Sequence, residues 1–322
     1  MRQQGEPMVR TSPTGKVTPH IRRHLNEEEW THHRDLSFLA DMARKSHGDL
    51  WFAIREHRVS LYHQGKLVCT VNFVPRTGRA ASTYPRPYNV GFGRRFTEPT
   101  KPKSGWAPLG EWDLADQIDD LAGCKGRRSG SYSYYNLDAA GLKRVITPAV
   151  VKRLCAAIRA INYGGEITFE QLLVAQNPPR PDFLVIDRQI ADSHPKFARQ
   201  RMDVLALRRV AGDEFSFVVI ELKLGNNPAA WGEVVGQTKR YVDHIEHDVA
   251  EEYCATYAKM YEQLAQFGLI GSEMPRTITI RPDRPEGVVV IGYADKALEE
   301  HVKTLREDNP DIHFHTPELR LS

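Results

Sequence analysis

Between residues 201 and 241 two apolar runs of strand length flank one charged turn, and a chain built around that stretch must contain a β-hairpin. Val204-Leu205-Ala206-Leu207 forms the first run, and Phe215 to Ile220, rich in β-branched and aromatic side chains, forms the second. The intervening Arg208-Arg209-Val210-Ala211-Gly212-Asp213-Glu214 carries turn residues and charge, which predicts antiparallel pairing. Asp203 then opens one strand and Glu221 closes the next at the same sheet edge. Strand side chains alternate in direction, so Glu221 and Lys223 share one face while Leu222 and Leu224 share the other.

Two carboxylates on one edge repel each other unless positive charge sits between them, and a hard divalent cation such as Mg2+ or Mn2+ is the usual solution. Lys223 beside them can hold a water or a phosphate oxygen. That set suits phosphodiester hydrolysis, where a metal polarises the phosphoryl oxygen and lowers the pKa of the attacking water. The competing reading is a solvated edge with a surface ion pair of little energetic weight.

Asp203, followed after a strand by Glu221-Leu222-Lys223, resembles the signature of the PD-(D/E)xK nuclease superfamily, and Gln237-xxx-Tyr241 resembles the extra motif of its RecB-like and Cas4-like members. The resemblance covers roughly residues 160 to 270. It implies an α/β restriction-endonuclease-like core, with a central mixed sheet flanked by helices, and a Mg2+- or Mn2+-dependent nuclease activity. By the same resemblance Asp203, Glu221, Lys223 and Gln237 are the expected catalytic residues. The metal would be held by Asp203, Glu221, the carbonyl of Leu222 and an acidic residue on the helix ahead of the hairpin. Glu166 is the choice for that residue and Glu170 its competitor. Arg201 and Tyr241 are expected to meet the nucleic acid. Two departures stand out: Met202 occupies the place of the proline in the superfamily name, and the cysteine set of the Cas4-like iron–sulfur cluster is absent.

A chain of 322 residues with 41% hydrophobic content can build one large or two modest cores. Its net charge of +3 announces no global polyanion-binding field, so a nucleic-acid surface must be a local patch. Cys69, Cys124, Cys155 and Cys254 are too scattered for a disulfide framework or a zinc knuckle and fit free thiols in a reducing compartment. No apolar run reaches membrane-spanning length and no signal-peptide core is present, which predicts a cytoplasmic protein with no membrane partner.

Composition predicts a flexible arm over residues 1–30, an α+β accessory module over 31–136 and a nuclease domain over 137–322. His20, His24, His32 and His33 cluster near the start without matching cysteine or carboxylate spacing, so they carry no metal motif. In the module, a helix follows Asp35 and three short strands cover Leu50–Ile54, Val59–Tyr62 and Leu67–Val74. From Pro75 to Asn136 the chain is dense in Pro, Gly, Arg and aromatic residues around a helix at Trp112–Ala122. There Gly91-Phe-Gly-Arg94-Arg95-Phe96 and Lys125-Gly-Arg127-Arg128 with Tyr132, Tyr134 and Tyr135 interleave cations with rings, a pattern suited to phosphates and bases. Arg94, Arg95, Arg127 and Arg128 are therefore candidate nucleic-acid contacts. Asp187, closing a strand at Phe183–Ile186, reads as a turn residue, with a place in the acidic cluster as the alternative. DNA is the expected partner and RNA the alternative, with a homodimer or a partner protein of a bacterial anti-phage defence system as the expected assembly. A non-catalytic nucleic-acid-binding or assembly module of the same fold is the competing function.

Overall fold

The computed structural model describes residues 21–55, 57–73, 88–98, 113–161, 165–197 and 200–315. The chain divides into two compact units: residues 24–178 with 263–272, and residues 1–23, 179–262 and 273–322. The division does not fall at residue 137, because the helices between 139 and 176 gather with the strands that precede them. Residues 1–20 of the expected arm lie outside the described residues. Residues 21–30 are not an arm, since Ile21, Arg23, Leu25 and Glu29 are buried.

The first unit starts with α1 (Glu27–Trp30) and α2 (His33–Lys45). Strands β1 (Trp51–Arg55), β2 (Arg58–His63), β3 (Lys66–Phe73) and β4 (Tyr88–Gly93) follow, then α3 (Arg94–Thr97), α4 (Leu114–Ala122), β5 (Arg127–Ser129) and β6 (Tyr132–Leu137). Helices α5 (Ala139–Val145), α6 (Pro148–Ile161) and α7 (Gly165–Gln176) close the unit's main segment. The strands form one antiparallel sheet in the order β1-β2-β3-β4-β6-β5. The three-stranded meander read from the sequence is thus half of a larger sheet. Its other half comes from the two basic, aromatic segments, whose glycines interrupt the apolar alternation that marks a strand.

Alternation gives this sheet one apolar face, with Val59, Leu61, Val71, Val90, Phe92 and Tyr135 buried. Helices α5 and α6 pack on the sheet with stripes that include Leu142, Val145, Val150, Leu154 and Ile158. The histidines near the start are used for packing: His33 stacks on Trp30 with ring centroids 4.6 Å apart, and His32 meets Tyr88 edge-on at 5.9 Å. His20 lies outside the described residues.

The second unit contains β7 (Phe183–Ile190), β8 (Met202–Ala211) and β9 (Glu214–Leu224) as an antiparallel meander. Next come α8 (Glu233–Asp248), α9 (Ala250–Gln266), the short β10 (Thr279–Ile280), β11 (Glu286–Gly292), α10 (Lys296–Asp308) and β12 (Ile312–His315). The sheet order is β12-β11-β9-β8-β7, with β11 and β12 parallel to β9, so the sheet is mixed and the fold is α/β. The last three elements form a strand, a helix and a parallel strand. Val288 to Ile291 are all buried, as a parallel strand covered on both faces requires. No helix among the described residues is long and apolar enough to cross a membrane.

Strand β7 runs three residues past the expected turn at Asp187. A bulge at Ile186 shifts its register against β8, from Val185 opposite Ala206 to Asp187 opposite Leu205. The extra residue turns Asp187 and Gln189 toward the sheet face that carries Asp203. Asp187 is fully buried beside Arg23 and Tyr257, so it is an interior ion-pair residue and not a turn.

Candidate functional site

The hairpin places the three charged residues of the motif together. Its last ladder pair is Val204 with Ile220, so Asp203 and Glu221 come next in register on adjacent strands and share a face. Strand β9 runs on to Leu224 beside β11, with Glu221 opposite Val289 and Lys223 opposite Ile291. At this edge the backbone N–H of Leu222 donates to Asp203 Oδ2 at 3.1 Å, so the carboxylate takes the place of a ladder partner. Gln189 Nε2 donates to Asp203 Oδ1 at 3.3 Å. Beyond Lys223 the chain must turn against the end of β11. A Cβ at Gly225 would lie 2.5 Å from the carbonyl oxygen of Tyr293, which only glycine tolerates.

Lys223 Nζ donates to Glu221 Oε1 at 2.6 Å and to the carbonyl of Leu222 at 3.2 Å, and lies 3.9 Å from Asp203 Oδ2. The ammonium is thus the positive charge between the two carboxylates. It does not cancel the cost of burying them. Burial and then the Asp203 charge push the Glu221 carboxyl up, against the opposing pull of Lys223. Glu221 is 2% exposed and its second oxygen, Oε2, accepts no hydrogen bond among the described residues. A buried carboxylate oxygen without a donor is unusual enough to require an explanation.

Gln237 and Tyr241 lie one turn apart on α8, which packs on β9 and β11. Tyr241 is buried, and its hydroxyl donates to the Arg201 carbonyl at 3.1 Å. Burial, followed by the charges of Glu221 and Asp203, raises its pKa. Gln237 is half-buried, and its carbonyl oxygen Oε1 is a second buried acceptor without a donor among the described residues. The unsatisfied atoms are therefore oxygens, the ligand type that hard divalent cations take. The donor set fits such an ion.

The remaining sequence candidates are dispersed. Arg201 is exposed, and its contribution to Tyr241 comes from the backbone. Glu166 is half-buried in the first turn of α7, while Glu170 on the same helix is buried, and both belong to the first unit. Arg94 and Arg128 both pair with Glu98, at 3.0 and 3.3 Å, which spends their charge locally. Arg95 and Arg127 are exposed.

The sequence reading passed over a second group on this unit. The His244 side chain is nearly buried between two carboxylates: Nε2 lies 2.7 Å from Asp192 Oδ2 and Nδ1 lies 3.1 Å from Asp248 Oδ2. Phe197 stacks on the ring at 4.4 Å, Tyr253 donates to Asp192 at 3.0 Å, and Lys196 reaches Asp248 at 2.5 Å. His194, His244 and Asp248 form one of two groups among the described residues whose ligand atoms lie within 4.8 Å of one another. The other is Asp243, Glu246 and His247. The spacing of His244 and Asp248, four apart on a helix, was the available signal.

Burial pulls the His244 imidazole down, but its hydrogen bonds to Asp192 and Asp248 outweigh it and the net shift is upward from 6.5. Both carboxylates are held below their ordinary 3.8. A raised histidine contributes stability that is complete below its unfolded value and lost as pH rises through the folded one, and depressed carboxylates lose theirs as pH falls. The His244→Gln variant should therefore be less stable by about 3 kcal/mol in mild acid, near pH 5.5, with a smaller deficit near pH 8.5. Urea unfolding at the two pH values measures this, and an equal deficit at both contradicts the charged pairing.

No protein-family model, curated protein or solved structure matches the chain.

Proposed function

We propose that the protein is a metal-dependent nuclease that hydrolyses phosphodiester bonds, with DNA as substrate and a restriction-endonuclease-like second unit as its catalytic core. The observation that carries this reading is the convergence of Asp203, Glu221 and Lys223 on one sheet edge, with buried acceptor oxygens of Glu221 and Gln237 left without donors. A surface ion pair on a solvated edge would leave neither the carboxylate nor the amide oxygen buried and unsatisfied. The strand order supports the same reading: an antiparallel hairpin bearing the motif, a helix bearing Gln237 and Tyr241, and a parallel strand behind it.

Asp203 and Glu221 would hold a Mg2+ or Mn2+ ion, with the Leu222 carbonyl at the same edge. When bound, such an ion polarises the phosphoryl oxygen and acidifies the attacking water. Lys223 supplies an ammonium that orients that water and offsets the negative charge developing on the phosphate. Gln237 offers its amide to the backbone of the substrate, and Tyr241 fixes the start of β8 by holding the Arg201 carbonyl. The third carboxylate that the family resemblance calls for, Glu166, stands on α7 in the first unit, and the proposal rests on the pair in the second.

The test is cleavage of matched single- and double-stranded DNA and RNA with Mg2+ or Mn2+, repeated with EDTA. The expected result is cleavage of DNA that EDTA abolishes. Cleavage confined to RNA reassigns the substrate. Absence of any cleavage, together with no calorimetric heat on Mn2+ titration, sinks the enzyme and leaves a binding module.

A further inference from the structure

The first unit has a concave site that owes nothing to the carboxylate edge. Its sheet has a second face, opposite the one packed on helices, and the ladder lines Ser60, Thr70, Gly91 and Tyr134 up in one row across four strands. Gly91 is what opens the floor. A Cβ there would come within 2.7 Å of Tyr134 Cε1 and 3.0 Å of the Thr70 methyl, so only glycine lets the Tyr134 ring lie across β4. The result is a cavity of about 440 Å³, within the range of small-ligand sites.

The chemistry of its lining is one-sided. Arg58, Lys66 and Arg95 bring three cations, and among the described residues no aspartate or glutamate lines the cavity. Among the described residues none of the three is in an ion pair, in contrast to Arg94 and Arg128, which Glu98 neutralises. Tyr62, Phe96, Tyr132 and Tyr134 bring aromatic rings, with Tyr132 and Tyr134 centred 6.0 Å apart. Ser60, Thr70 and Asn72 add neutral donors and acceptors between them. Most strand residues facing water need neither this density of rings nor three uncompensated cations beside one hollow. Cations for phosphate, rings for a planar base and hydroxyls for a sugar define one ligand class.

We propose that this cavity binds a phosphorylated nucleoside, either a free nucleotide or one residue of a single strand, through Arg58, Lys66 and Arg95 on phosphate and the tyrosine and phenylalanine rings on base. The site is independent of the catalytic proposal, and its test is run in EDTA so that failure of cleavage cannot be mistaken for failure of binding. A fluorescein-labelled five-nucleotide strand is titrated with the full-length protein at low salt and followed by anisotropy. AMP, ATP, adenosine and inorganic phosphate are added as competitors.

The expected result is saturable binding that weakens steeply with salt. Arg58→Ala with Arg95→Ala should reduce affinity at least tenfold, and Lys303→Ala, at an exposed cation on α10 that neither site uses, should leave it unchanged. Competition by AMP or ATP, but not by adenosine or phosphate alone, identifies a free nucleotide as the ligand. Displacement only by unlabelled strand identifies a strand residue. The proposal is overturned if the strand and the nucleotides fail to bind, or if the double variant, folded by circular dichroism, binds like the parent.

Discussion

Replacing Lys223 with methionine is expected to lower metal-dependent cleavage by about 10²- to 10³-fold, the usual loss when one preorganised electrostatic partner of the reacting group is removed. Methionine keeps the length and apolar body of the side chain. The variant should therefore fold, although the buried Glu221 loses the donor at 2.6 Å and its carboxyl should move further up. Asp203→Asn provides the complementary test. An asparagine can still accept the Leu222 N–H through its carbonyl oxygen, so the edge keeps its geometry while losing one of two charges. Loss of cleavage at least as large as for Lys223→Met is expected, with the melting curve close to the parent's. Full activity in Asp203→Asn would remove the catalytic assignment, because no arrangement of the remaining carboxylate and ammonium reproduces a two-carboxylate site.

The parts of this site that could be read from the sequence follow from the period of a strand. Asp203, Glu221 and Lys223 were placed on one edge by alternation and by a two-strand register, both local properties. Gln237 and Tyr241 were placed on one face by helical spacing. Gln189 is not legible in the sequence, and Asp187 only as an alternative to a turn residue, because a single inserted residue at Ile186 inverts the direction of the side chains beyond it and a bulge has no reliable sequence mark. The stretch from 137 to 176, which carries α5 to α7, reads with the hairpin in the sequence because it directly precedes it in the chain. Their apolar stripes fit a sheet, but nothing in a stripe names which sheet, and long-range pairing decided it. In the same way β4 shows no clean strand alternation, because Gly91 breaks it, and that glycine is what makes room for the Tyr134 ring beside the cavity.

A second large effect is expected at Arg23, whose partner Asp187 shares a sheet face with Asp203. Its Nε lies 3.0 Å from Asp187 Oδ2, and the two side chains are 11% and 0% exposed. Tyr257 donates to the same oxygen at 2.9 Å, and a terminal nitrogen of Arg23 donates to the Ala191 carbonyl at 3.2 Å. Burial works against the Arg23 charge, and Asp187 together with Tyr257 and Tyr253 more than restores it. Removing one member of such a pair leaves the other ionised in the interior, which costs about 3–5 kcal/mol. Arg23→Met should therefore lower the melting temperature by roughly 10 °C for a domain of this size. Asp187→Asn should do comparable damage by stranding the guanidinium. The double variant Arg23→Met with Asp187→Leu removes both charges at once, and its loss should be clearly smaller than the sum of the single losses, since what costs energy is the unpaired charge and not the missing bond. Additive losses in that cycle would mean that the two side chains contribute through packing alone. Bulge and ion pair would then be unrelated, whereas coupling ties the segment before α1 to the inverted register of β7 that brings Gln189 to Asp203.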